Sequence, residues 1–118
     1  MYVESFKQLT VWQRSIQVVK EVYRLTKSLP ESERYGLVNQ IRRAAISVPA
    51  NIAEGKKRKT KKDFLQFLRI ADGSAAELET QLFLCRDLYS IDISECISLL
   101  TEVSKMLRVI IDKLEPSN

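Results

Sequence analysis

Six positively charged side chains crowd into seven residues: Lys56, Lys57, Arg58, Lys59, Lys61 and Lys62, with Thr60 alone between them. Closely spaced ammonium and guanidinium groups neutralise phosphates and release the counterions condensed on a nucleic acid, so the chemistry offered here is polyanion binding. A solvated surface loop would show the same composition. The run itself contains no aromatic residue on which an unpaired base could stack. Membrane-surface binding fits less well, because no bulky apolar residue lies within the run. Upstream, Arg42 and Arg43 join the candidate nucleic-acid-binding set. The formal charge is +4 overall with six positives in the run, which leaves −2 for the rest of the chain. The basicity is therefore a local patch rather than a uniform cationic surface.

Other chemistries find little support. The chain has no histidine, which removes the commonest general base and transition-metal ligand, and its two cysteines cannot complete a tetrahedral zinc site. Cys85 and Cys96 fall on apolar positions of successive predicted helices and read as small buried hydrophobes rather than as a disulfide. Glu54, Asp72, Glu77 and Glu79 are the carboxylates nearest to small or apolar helix surface. Helical di-metal sites need Glu-x-x-His pairs, and Glu77 and Glu79, two residues apart, point to different faces. We read these acids as solvated or ion-paired; a bidentate cross-helix bond from Arg42 or Arg43 to Glu77 or Glu79 is the more specific alternative. No catalytic residue, metal ligand or cofactor site is predicted.

Three residues are structural candidates. Pro49 lacks an N–H, and its ring collides with the carbonyl of Ala45 four residues earlier, so it either kinks a continuous helix or ends one helix and begins another. In-phase apolar positions on both sides favour the kink. Asn51 is placed to bond the carbonyls that the proline leaves without partners. Gly55 reads as the helix C-cap, where a positive φ is accessible to it.

The elements that must position these residues follow from spacing. At 118 residues and 13.6 kDa, with 45% apolar and 29% charged residues, three glycines and three prolines, the chain reads as one helical domain over 1–118. Leu9, Trp12, Ile16, Val19, Tyr23 and Thr26 step by three and four along a first helix that Leu29-Pro30 ends. Val11, Val18, Val22 and Leu25 form a second strip, wider than one core needs, which points to a partner surface. The second helix is expected to begin between Glu31 and Leu37. Thr60 and Asp63 resemble a capping box opening a third helix, whose heptad runs Phe64, Leu68, Ala71, Ala75, Leu78, Leu82, Cys85, Tyr89. The small residues from Ala71 to Ala76 would let a neighbouring backbone approach. Asp92 or Ser94 is the expected N-cap of a fourth helix with core positions Cys96, Leu100, Val103, Leu107, Ile110 and Leu114, stopped by Pro116. Phe83, Leu84, Ile97 and Ile111 are more apolar positions than one core can take, and they predict an oligomer. Four amphipathic helices with short connections predict an all-α, antiparallel up-down-up-down four-helix bundle with its second helix kinked at Pro49. The segment MYVESFKQL carries an acid and no apolar core of signal-peptide length, and no run is long enough to span a membrane, so a cytoplasmic location without membrane contact is expected.

Leu9-Thr10-Val11-Trp12-Gln13, Tyr35-Gly36-Leu37, Gln40-Ile41-Arg42-Arg43-Ala44-Ala45, Ser47-Val48-Pro49-Ala50-Asn51-Ile52-Ala53-Glu54-Gly55, Phe67-Leu68, Gly73-Ser74 and Glu77-Leu78-Glu79-Thr80-Gln81-Leu82 together resemble the 23S rRNA intervening-sequence, or S23, family, over nearly the whole chain. Ala50 stands where that family usually has serine. The resemblance implies a four-helix bundle that assembles into a ring, a homopentamer, and it implies no enzyme. Similar bundles serve as accessory proteins of diversity-generating retroelements, where a basic ring surface engages nucleic acid and a reverse transcriptase. Two functions are therefore expected to compete: an oligomeric accessory protein binding RNA or DNA, and a protein-interaction scaffold whose lysines serve only solubility.

Overall fold

Helix-period apolar spacing becomes four α-helices in the computed structural model, which describes residues 5–116. They are α1 (Thr10–Thr26), α2 (Leu37–Lys56), α3 (Lys61–Tyr89) and α4 (Ser94–Leu114), with single 3-10 turns at Phe6–Gln8 and Glu31–Glu33. Among the described residues there is no strand. Each helix packs on its neighbours in sequence, and α1 closes the square against α4, with no close backbone approach along either diagonal among the described residues. This is the expected antiparallel four-helix bundle. Its long dimension of 45 Å is nearly matched by α3 alone, whose 29 residues rise about 43 Å at 1.5 Å each.

The third and fourth helices present the expected heptads to the core: Leu68, Ala71, Ala75, Leu78, Leu82 and Cys85 from α3, and Cys96, Leu100, Val103 and Leu107 from α4, are all buried. Ile111 is also core, so it is not part of an excess surface; Ile110 only borders the core. On α1 the two strips exchange roles. Val11, Ser15, Val18, Val22 and Leu25 are buried, whereas Leu9, Trp12 and Val19 pack only along the margin. The inner strip reads as secondary in the sequence because a serine interrupts it. Ser15 Oγ donates to the Trp12 carbonyl at 2.7 Å, so its hydroxyl enters the core already satisfied. Each fully buried Val, Leu or Ile contributes about 1.5–3 kcal/mol relative to exposure, which is why these side chains fix the bundle.

The α2–α3 pair has the most extensive helix contact, and both helices bury small residues: Ala44, Ala45 and Gly55 on α2, Ala71 and Ala75 on α3. Gly73 takes no part in this approach; a Cβ there would meet nothing within 4 Å. Helix α2 runs without interruption through Pro49, whose ring is buried, so no second helix begins there. Asn51 Nδ2 donates to the Ser47 carbonyl at 2.8 Å and to Ser47 Oγ at 2.9 Å. The carbonyl opposite the missing proline N–H is Ala45's, so Asn51 reinforces the turn beside the lost bond rather than replacing it. Ser47 Oγ in turn shares a 2.8 Å bond with Ser74 Oγ of α3, which ties that turn across the interface.

Gly55 corrects the expected C-cap. It lies inside the last turn of α2, no glycine among the described residues has positive φ, and the helix ends at Lys56. A Cβ on Gly55 would lie 2.7 Å from Phe67 Cβ and 3.0 Å from Phe64 Cδ1. The residue is small so that the hairpin can close.

At the other end of α3, Ser90 adopts φ 56°, ψ 35°, the left-handed conformation that usually falls to glycine or asparagine. Thr60 Oγ1 accepts the Asp63 N–H at 3.1 Å, the expected cap of α3. Asp92 accepts both the N–H and the hydroxyl of Ser94, at 3.0 and 2.7 Å, and those bonds hold its carboxyl below the usual range. Cys85 and Cys96 are free and buried. Desolvation pushes their thiols up to about 11 and about 12, so both stay protonated as core hydrophobes.

Candidate nucleic-acid interface

The lysine run forms the tip of the α2–α3 hairpin. Lys56 ends α2, Lys57–Thr60 turn the chain, and Lys61 and Lys62 open α3. The Lys57 N–H donates to the Ala53 and Glu54 carbonyls at 3.3 Å each, and the Arg58 N–H donates to Gly55 O at 3.1 Å, so the turn is a tight wind-down of the helix. Lys57, Arg58, Lys59, Lys61 and Lys62 are exposed, and Lys56 is half-buried. Two cations of the run are engaged locally. Arg58 Nη2 meets Glu54 Oε1 at 3.0 Å while its guanidinium lies 4.7 Å from the centre of the Phe67 ring. Lys56 Nζ sits 5.9 Å from the Phe64 ring. Among the described residues Lys57, Lys59, Lys61 and Lys62 make no ion pair, and every ion-pair cation is an arginine.

Lys61 and Lys62 stand where the helix dipole disfavours them. The first turn of a helix presents unpaired N–H groups and partial positive charge, where acids are stabilising and cations are not. Only Asp63 meets that preference in the first turn of α3. Lys56 and Lys57, at the C-terminal end of α2, are well placed by the same rule.

The two upstream arginines do not belong to this tip. Arg42 lies 14 residues before Lys56, about 20 Å along the helix. Its Nε donates to Thr26 Oγ1 at 3.0 Å, and its guanidinium covers the Tyr23 ring at 4.3 Å, so it bolts α2 to α1. The anticipated partnership of Arg42 or Arg43 with Glu77 or Glu79 is absent among the described residues; the cross-helix pairs there are Arg14–Glu102, Arg69–Glu115 and Arg108–Asp72. Exposed pairs of this kind are worth only about 0–1 kcal/mol each.

Arg43 instead borders a separate polar groove of about 300 Å³ between α2 and α3, with Gln40, Ala44, Ser47, Ser74, Glu77 and Gln81. Gln81 is 8% exposed, and its Oε1 has no hydrogen-bond partner. A second groove of about 300 Å³ adjoins the lysine tip, lined by Arg58, Asp63, Gln66, Phe67 and Ile70. Phe64, which the heptad spacing assigned to the core, and Phe67 thus stand directly beneath the basic run. Their signal was there to find, since both fall within about one and a half helical turns of Lys62.

No helix among the described residues is long and apolar enough to cross a membrane, and no three of their His, Cys, Asp or Glu side chains converge as a metal site requires. No curated protein matches the chain. It is similar to a solved structure from Bacteroides thetaiotaomicron, a protein of unknown function from the S23 ribosomal protein family, at 30% identity and a TM-score of 0.76. That similarity covers 86% of this chain and 98% of the other. The family model for the 23S rRNA-intervening sequence protein matches residues 7–112, and the chain belongs to that family.

Proposed function

We propose that this protein is a non-enzymatic, homo-oligomeric accessory protein that holds nucleic acid on the α2–α3 tip. The observation that carries the reading is the set of four exposed lysines, Lys57, Lys59, Lys61 and Lys62, that no carboxylate neutralises. Folding gives no reason to place two of them at a helix N-terminus, whereas a phosphate backbone does. The rest of the chain is net negative, which steers a polyanion to this end. Assembly into a ring, with five copies as the family resemblance implies, would repeat the tip and convert a weak contact into avidity.

The test is titration of labelled duplex and single-stranded RNA and DNA at several salt concentrations. For each phosphate neutralised, log K should fall with log salt by about 0.9 on duplex DNA and about 0.7 on single strands. Replacing Lys57, Lys59, Lys61 and Lys62 with glutamine should weaken binding to every sequence and flatten that slope. The melting temperature should barely move, because unpaired exposed lysines add little to stability. Absence of binding by the unmodified protein at low salt, or equal slopes for the two proteins, would favour a protein-interaction scaffold instead.

A further inference from the structure

We infer that the tip takes single-stranded nucleic acid in preference to duplex, with one unpaired base stacked on the outer face of the Arg58 guanidinium. The inference rests on the nucleic-acid reading above and names its substrate class. Arg58 is built as a platform. Its guanidinium lies over Phe67 at 4.7 Å from the ring centre, and the bond that its Nη2 donates to Glu54 Oε1 at 3.0 Å holds it there. Its side chain keeps 45% of its surface exposed, which leaves surface for a base to stack on. Phe67 is held close to α2, since even a methyl added at Gly55 would come within 2.7 Å of its Cβ.

Stacking on arginine planes and aromatic rings is how unpaired bases are gripped without sequence readout, since every base offers a π-face. The groove beside the platform supplies the remaining surfaces. Phe67 and Ile70 form an apolar wall, and Asp63 and Gln66 offer acceptors at its edge to the amino group of a base. The unpaired lysines lie on the same hairpin turn and on the first turn of α3, within reach of the phosphates on either side of a stacked base. A duplex, whose bases are already stacked internally, could use only those lysines.

The experiment uses the full chain with a fluorescent single strand and the duplex of the same sequence, each also prepared with one 2-aminopurine as a reporter of stacking. Arg58→Lys keeps the charge and removes the plane; Phe67→Leu keeps apolar contact with Gly55 and removes the ring beneath. The unmodified protein should bind the single strand more tightly than the duplex at equal salt and quench the 2-aminopurine. Arg58→Lys should lose about five-fold or more on the single strand, lose the quenching, and leave duplex affinity and salt slope unchanged. Phe67→Leu should act in the same direction. Equal or tighter binding of duplex, or an Arg58→Lys loss shared equally by both ligands, overturns the stacking site while leaving the nucleic-acid reading intact. Binding of neither ligand at low salt overturns both.

Discussion

Gln81 is a buried amide whose carbonyl oxygen has no partner among the described residues, in the lining of a groove that Arg43 and Glu77 also border. Leaving a buried acceptor unsatisfied costs about 1–3 kcal/mol, whereas an apolar side chain of similar size in the same place has nothing to satisfy. Gln81→Leu should therefore raise stability by on the order of 1 kcal/mol, read as a higher urea midpoint at unchanged m-value. A less stable variant would mean that the amide already has a partner worth more than its desolvation. Ser15 shows the opposite solution. Its hydroxyl bonds the carbonyl three residues back and sits in the core at 1% exposure. Both residues are polar and buried, but a serine hydroxyl can satisfy itself on a carbonyl of its own helix, whereas the glutamine oxygen needs a donor that only tertiary packing can bring.

The α2–α3 hairpin is the element on which the candidate site depends, and Gly55 is its tightest point. An added methyl would have to occupy space 2.7 Å from Phe67 Cβ, with the Phe64 carbonyl at 3.3 Å. These are β-carbon and backbone atoms rather than the flexible end of a side chain, so relief requires the helices to part. Gly55→Ala should destabilise by about 1–3 kcal/mol as overpacking does, despite the helix propensity it gains. It should also disturb the Arg58 platform, and a melting curve with a nucleic-acid titration would show both; an unchanged or higher melting temperature would mean that the hairpin absorbs the methyl. The heptads of α3 and α4 were legible in the sequence because spacing is a local property that packing merely uses. Gly55 was legible as special but not in its role, since a glycine needed for room looks the same as one needed for positive φ. The basic run was legible from composition alone. That Arg42 would turn to Thr26 while Arg58 would lie on Phe67 depends on which helices become neighbours, and no spacing rule contains that.

In the molecule as a whole, exposed apolar side chains also gather at the end of α3 away from the lysine tip. The helix begins at the lysine tip, and its far half carries Phe83, Leu84 and Leu88 at 37%, 43% and 62% exposure. Leu84 is 23 residues beyond Lys61, about 35 Å away at 1.5 Å per residue. Large apolar side chains grouped in this way have no role in the monomer's core, and covering them would be favourable by about 25 cal/mol for each Å² removed from water. The proposed oligomer gives them a partner in a second copy of the chain, and leaves the tip of each copy free to meet nucleic acid at the opposite end. Light scattering on the purified protein should accordingly give a mass several times 13.6 kDa, with five-fold the value for the pentamer. Leu84→Glu together with Leu88→Glu would place two like charges in any interface built on this face, and burying unpaired charge is strongly unfavourable. That variant should fall to the monomer mass with its helical circular dichroism retained, since both positions lie outside the core. Its salt slope per site should be that of the unmodified protein, while its apparent affinity for long strands drops as avidity is lost. A native monomer would remove the ring, and an oligomer indifferent to both glutamates would move the subunit contact to another face of the bundle.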